Sequence, residues 1–295
     1  MHSNYQPGFT IIIPTYNRKK YLLDTLHFAL AQKLPPLEII VVDVSEKSLQ
    51  LNEQEQLPFK SLLKYVSWNE YGNISKQRNH AINMAKGEYI LFLDDDVIFD
   101  ADLLQHYSEA FATTRVDAIS GLIETEKYRF GSSPLKFKGI LSDVGEYNLQ
   151  PCDVVAPTKV ICTASFAIKT DVLKAIGGFD EDQRGSYDDM EIGFRLSKRG
   201  YKILHHSLPK VFHLQAKASG ARDSSHGNKW AIENQVYFLL KHRYNNKKNW
   251  FLFLMLLEIL KPSRAWLQPS NLFAKTKIHV AAFNRFNTLQ KTGLL

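Results

Sequence analysis

The residues with the clearest chemical potential are three consecutive carboxylates, Asp94, Asp95 and Asp96, set directly after the apolar run Tyr89–Leu93. Adjacent carboxylates repel, so ionising all three is costly unless a cation or hydrogen-bond donors offset the repulsion. A hard divalent ion does this. Mg²⁺ and Mn²⁺ favour oxygen ligands, and Mg²⁺ usually takes one or two protein carboxylates while phosphate oxygens and water complete its shell. The partner implied is a diphosphate held through Mn²⁺ or Mg²⁺. The competing account is local: Asp often ends a strand and opens a turn because its side chain bonds nearby backbone.

The elements around the cluster say how it would be positioned. Phe9–Ile13 is a continuous apolar run expected to end at Pro14, as a strand buried on both faces. Lys19 to Gln32 sets Tyr21, Leu22, Thr25, Leu26, Ala29 and Leu30 at helical spacing. Leu37–Val44 reads as a second buried strand carrying Asp43 at its end, and Leu62–Val66 as a third after a polar stretch. Asn73 to Lys86 reads as a helix with Gly87 at its C-terminal cap, directly before the Tyr89 strand. Buried strands alternating with helices predict an α/β fold with a mostly parallel, doubly wound, Rossmann-like sheet. Such sheets bind ligands beyond the carboxyl ends of their strands. Pro14 to Asn17, Asp43 and Asp94–Asp96 would all lie on that edge.

Composition narrows the partners. The 295 residues are 44% hydrophobic, enough for a sizeable core, and two cysteines, Cys152 and Cys162, provide no disulfide framework. The net charge of +7 is unevenly spread. Residues 243–295 hold nine Lys or Arg and one acid, whereas the first 242 residues hold 28 basic and 29 acidic residues. A nucleic-acid partner is therefore not expected. The excess charge flanks an apolar run, Trp250–Leu257, too short to span a bilayer, which takes about 20 residues. Two accounts fit it: a helix lying on an anionic membrane surface, or a buried helix with solvated basic flanks. No signal-peptide pattern precedes Phe9, so the expected location is cytoplasmic, peripheral at the inner face of the plasma membrane if the tail binds lipid.

Several ordered segments together carry a resemblance: Thr10–Arg18 (TIIIPTYNR), Val41–Asp43, Arg78–Asn79, Gly87–Asp96, Ile176–Glu181, Tyr187–Leu196 and His213. Over about residues 9–240 the chain resembles a family 2 glycosyltransferase. The resemblance implies a GT-A domain over 1–242, with a nucleotide-binding half at about 9–120 and an acceptor-binding half at 121–242, and a basic, apolar helical extension over 243–295. It implies that Tyr16 and Asp43 hold the nucleobase, with Pro14 shaping the loop and Arg78 near the nucleotide. Asp95 would face ribose or sugar, while Asp94, Asp96 and His213 would hold Mn²⁺ or Mg²⁺. The acidic pair Asp188–Asp189 would contain the catalytic base, assigned to Asp189, with Asp188 and Glu191 as supporting contacts. Plainer accounts stand beside these: a packed turn tyrosine, a helix-surface arginine, a structural histidine, and acids that favour a helix N-terminus through capping and its dipole. Gly177–Gly178 reads equally as a close backbone approach or a plain loop. The aromatics of the helix Trp230–His242 read as core, and residues 122–160 as acceptor-facing loops.

The implied activity is inverting, metal-dependent transfer of a sugar from a nucleotide-diphosphate donor, a UDP-sugar, to a hydroxyl of a glycan or lipid-linked glycan in polysaccharide or cell-envelope synthesis. Two alternatives use a similar sheet. A sugar-1-phosphate nucleotidylyltransferase needs an early Gly-rich basic loop, which the chain lacks. A catalytically silent sugar-nucleotide or glycan-binding module needs no intact base.

Overall fold

The computed structural model describes residues 8–48, 61–68, 73–126, 129–130, 155–183 and 187–216, with helical positions at 233–234, 237–238, 241–242, 284 and 288. Elements run β1 (Phe9–Thr15), α1 (Lys19–Leu30), β2 (Glu38–Asp43), β3 (Leu63–Ser67), α2 (Ile74–Met84), β4 (Tyr89–Leu93), β5 (Val97–Phe99), α3 (Leu103–Thr114) and β6 (Ala118–Glu124). They continue through β7 (Arg129–Phe130), β8 (Ala156–Pro157), β9 (Ser165–Lys169), α4 (Thr170–Ala175), α5 (Asp188–Lys198) and β10 (Ile203–His213).

One sheet runs β3-β2-β1-β4-β9-β6-β10-β5, with β7 beside β6 and β8 beside β10. Pairs β3·β2, β2·β1, β1·β4 and β6·β10 are parallel. β9 runs antiparallel between β4 and β6, and β5 antiparallel to β10. The side-chain period of two divides the core. Ile11, Ile13, Ile39, Val41, Leu91 and Leu93 pack on one face with Leu22, Leu26, Leu104 and Phe111 of α1 and α3. Ile12, Ile40, Val42, Ile90 and Phe92 pack on the other with Ala81, Leu173, Ile192 and Leu196 of α2, α4 and α5. With both faces covered, β1, β2 and β4 are buried along their whole lengths, as their unbroken apolar runs predict.

Two local expectations change. β1 continues through Pro14 to Thr15, pairing Pro14 with Val42 and Thr15 with Asp43. α2 ends at Met84 with an extended Ala85, so Gly87 is not its cap. Gly87 is required for packing: a Cβ there would lie 2.5 Å from the Thr10 nitrogen and 2.8 Å from the Gly8 oxygen. At Asn73 the helix start holds, its side chain accepting from the Lys76 amide.

By internal contacts the chain divides into two units, one of residues 1–181 with 188–220, the other of 182–187 with 221–295. In the second, Tyr237 and Phe238 are buried, Phe238 packing near Tyr187 and His242, so these aromatics are core. Trp250–Leu257, and most of 122–160, lie outside the described residues.

Candidate active site

The carboxyl ends of β1, β2, β4, β6 and β10 share one edge, and antiparallel β9 brings its amino end there. Pairing of His213 with Val97, through β10 and β5, sets the histidine beside the acidic turn. The Leu214 amide donates to the Asp96 carbonyl at 3.0 Å, and the Ala216 amide to Asp96 Oδ2 at 2.8 Å. His213 Nε2 then lies 3.0 Å from Asp96 Oδ1 and 3.6 Å from Asp94 Oδ2. One ligand atom from each of the three falls within 4.8 Å of the others.

Whether this set fits a cation turns on Asp96 Oδ1. It is a buried oxygen with the His213 imidazole nitrogen 3.0 Å away, near enough to pair with it directly or to share one ion with it. Two carboxylate oxygens and an imidazole suit Mn²⁺ or Mg²⁺. Burial pushes the Asp96 carboxyl up, but the facing His213, the Ala216 amide and Arg18 outweigh it and hold it below the ordinary range.

Asp95 turns the other way. Its Oδ2 accepts from Thr15 Oγ1 at 2.6 Å and its Oδ1 from Arg18 Nη1 at 3.1 Å. Burial dominates these donors and the neighbouring acids add to it, so the carboxyl rises to about 6. Arg18 also lies 3.3 Å from Asp96 Oδ2 and donates to the Ala216 carbonyl at 3.0 Å. It ties the loop after β1 to the acidic turn and to the segment after β10. The sequence reading assigned Arg18 no role, although it closes the TIIIPTYNR segment.

Arg78 is 2% exposed, so it is no helix-surface charge. It donates to Asp188 Oδ2 and, at 2.6 Å, to Thr163 Oγ1, lies 3.9 Å from Asp94 Oδ1, and stacks 5.2 Å from the Phe179 ring. Thr163 in turn donates to Asp189 Oδ1 at 2.8 Å. Asp189 keeps partial exposure, yet dense surrounding protein pushes its carboxyl up to about 7, with Asp188 and Asp94 adding to the rise and Arg78 and Thr163 opposing it. That poises it as a proton acceptor near neutral pH. Cys162, close by, is pushed well above the usual thiol range by burial and by the charges of Asp189 and Asp94, so it stays a neutral thiol.

On the β2 side, Asp43 accepts from Tyr65 Oη and from the Ser45 amide and hydroxyl. Tyr16 is half-buried and donates to Glu46 at 3.1 Å, next to buried Pro14. Glu191 is fully buried and paired with Arg195 Nε at 2.8 Å through both oxygens. Arg195 also donates to the Ile176 and Gly178 carbonyls, so the Glu191 pair braces the turn after α4. Gly178, at φ 69°, is required there, since a Cβ would collide with Asn79 Oδ1. Asn79 bonds the Phe179 amide and carbonyl at 2.8 and 2.9 Å.

Residues 10–175, more than half of the chain, match the model of Glycosyl transferase family 2. The chain belongs to that family. Its sheet is the GT-A type, the fold of the solved glycosyltransferases it superimposes on. The Mannosyltransferase PcManGT from Pyrobaculum calidifontis, solved with GDP-Man and Mn²⁺, aligns at TM-score 0.60 and 20% identity over 99% of this chain and 80% of that one. Poly(ribitol-phosphate) beta-N-acetylglucosaminyltransferase TarS from Staphylococcus aureus strain Mu50 is 28% identical over 161 residues, 53% of this chain and 28% of TarS. Its 1–349 fragment with UDP-GlcNAc aligns at TM-score 0.62 and 16% identity, covering 95% of this chain and 80% of the fragment. Chondroitin synthase from Escherichia coli is 28% identical over 228 residues, 65% of this chain and 32% of the synthase. The chain thus spans about a third or less of the length of these two curated relatives.

Proposed function

We propose that this family 2 glycosyltransferase transfers a sugar, with inversion, from a UDP-sugar to a hydroxyl of a glycan or lipid-linked glycan, in polysaccharide or cell-envelope synthesis. The observation that carries the reading is that the trio Asp94, Asp96 and His213 shares one strand edge with Asp189. TarS and chondroitin synthase support a polymeric acceptor, and the UDP-GlcNAc complex of TarS supports UDP.

Asp94, Asp96 and His213 would hold the cation, the imidazole favouring Mn²⁺ over the harder Mg²⁺. When bound, the ion supplies Lewis acidity to the diphosphate as the sugar leaves. Asp43 and Tyr16, with Pro14 shaping the loop, bind the nucleobase. Asp95 faces the ribose, because a carboxylate oxygen accepts more than one hydrogen bond and Thr15 and Arg18 use one each. Asp189 removes the proton from the acceptor hydroxyl as its oxygen attacks the anomeric carbon opposite the diphosphate, which inverts that centre. Arg78 counters the charge of Asp188 and Asp189, Asp188 lines the acceptor side, and the buried Glu191–Arg195 pair supports the helix that carries them.

Calorimetric titration of UDP, GDP and dTDP, with and without Mn²⁺, tests this, repeated on Asp96→Ala. Mn²⁺-dependent binding of UDP alone, lost in the variant, is expected. A folded protein that binds none of the three is a silent module instead.

We also propose a cytoplasmic, peripheral location, from the charge of residues 243–295. Among the described residues no helix is long and apolar enough to cross a membrane. The full chain should sediment with anionic but not zwitterionic vesicles; equal sedimentation with both rules the tail out as an electrostatic anchor.

A further inference from the structure

Thr163, in the segment entering β9, is 4% exposed and stands between the charged groups on the acceptor side. Its Oγ1 is 2.6 Å from Arg78 Nη2 and 2.8 Å from Asp189 Oδ1. A guanidinium only donates, so Thr163 accepts from Arg78; an ionised carboxylate only accepts, so the hydroxyl proton must point at Asp189. Buried Arg78 is itself pinned by Asp188 on α5 and stacked on Phe179. The hydroxyl direction is thereby imposed from outside the Asp189 carboxylate. The site is built by topology: the antiparallel register of β9, with Ser165 opposite Leu93, brings its entry to the edge where Asp94 follows β4. The Ser165 amide closes that entry on the Cys162 carbonyl at 3.1 Å.

We propose that Thr163 is a positioning residue for the proton-abstracting carboxylate, its hydroxyl oriented by Arg78 so that it holds Asp189 Oδ1 and favours the ionised form. This rests on the assignment of Asp189 as the base. In the step, the acceptor O–H bond breaks and its proton passes to Asp189, while the acceptor oxygen bonds the anomeric carbon. The bond from that carbon to the diphosphate breaks, its electron pair leaving on the diphosphate. Thr163 keeps its proton, and with the new proton on the other carboxyl oxygen Oδ1 still accepts, so the hydroxyl need not turn during the reaction. Among the described residues, titratable and charged groups facing Asp189 include Asp188 on its own helix, Arg78 on α2, Asp94 after β4 and Cys162 before β9. Cys162 is held as a neutral thiol. Thr163 is a neutral donor, whose removal leaves the local charge unchanged.

The test is nucleoside diphosphate release from UDP-, GDP- and dTDP-sugars with Mn²⁺ and water as acceptor, followed against pH in wild type, Thr163→Val, Thr163→Ser and Asp189→Asn. A hydrogen bond to an ionised group predicts a kcat loss of about 10- to 100-fold in Thr163→Val. The rising limb should move up by about one pH unit, with donor KM unchanged. Thr163→Ser should recover most of the loss. Wild-type kcat in Thr163→Val, or a loss with an unmoved limb that serine does not recover, overturns the proposal if Asp189→Asn is inactive. Turnover retained by Asp189→Asn, or no release by wild type from any donor, sinks the underlying base assignment instead, and this proposal with it. If Thr163→Val does not give a native near-ultraviolet spectrum, Thr163→Ala serves for the same comparison.

Discussion

Glu38 at the amino end of β2 and Asp189 at the opposite edge are both carboxylates enclosed by protein, and they are driven in opposite directions. Glu38 Oε1 accepts from Thr10 Oγ1 at 2.8 Å and the Lys86 amide at 2.6 Å, while Oε2 accepts from Lys64 Nζ at 2.5 Å. Burial pushes Glu38 up, but these donors outweigh it and its carboxyl lies below the ordinary range. At Asp189, burial and the charges of Asp188 and Asp94 outweigh Arg78 and the Thr163 hydroxyl, and the carboxyl rises to about 7. At the structural end of the sheet, a largely buried carboxylate is held ionised by three donors. Where burial and neighbouring acids outweigh the donors, the carboxylate is left ready to take up a proton.

The comparison breaks most visibly at Asp189. Asp189→Asn should lower kcat by roughly 10²- to 10⁴-fold, the range of general-base catalysis, and remove the rising limb near pH 7. Diphosphate binding should persist, measured by calorimetry; a variant that loses binding as well would make Asp189 a binding group. Because the folded carboxyl is raised, the folded state takes up this proton more readily than the unfolded chain, and Asp189 destabilises the fold as pH rises from about 4 to 7. The variant should therefore show a flatter melting temperature across that window.

Arg78→Met sharpens the contrast by removing the guanidinium that faces Asp188, Asp189 and Asp94. Breaking one side of a buried ion pair costs about 3–5 kcal/mol, so denaturant unfolding should show a loss of that size. The loss should be smaller at pH 5 than at pH 8, since the abandoned acids then take up protons. Equal losses at both pH values would mean that the packing on Phe179, and not charge, is what Arg78 contributes.

The smallest effect belongs to the satisfied end. Glu38→Gln should cost about 1–3 kcal/mol and leave turnover unchanged. With its folded pKa lowered, Glu38 stabilises above about pH 4.3, and that contribution is lost as pH falls through the folded value. Unfolding followed from pH 7 to pH 3 should show an acid-dependent loss in wild type that the variant lacks.

Much of the site could be read along the chain because it is local. An apolar run followed by acids puts Asp94–Asp96 at a strand end whatever the sheet order, and the same logic holds for Asp43. Asp188 and Asp189 begin a helix that is recognisable in one stretch of residues. Gly87 was misleading for the converse reason: a glycine after a helix resembles a cap, but here its small size serves contact with β1, distant in sequence.

Which polar groups meet is set by the packing of distant segments. Arg18 reaches Asp95 across 77 positions, Arg78 reaches Asp188 across 110, and Thr163 reaches Asp189 only because β9 runs against its neighbours. Period and composition set the type of each element and the face it buries, since those depend on neighbours in the chain. A hydrogen bond between elements depends on strand order and register, which no single segment encodes. The doubly wound framework and the acids at its edge follow from local pattern, whereas strand order and register settle which of those acids is held ionised and which is raised.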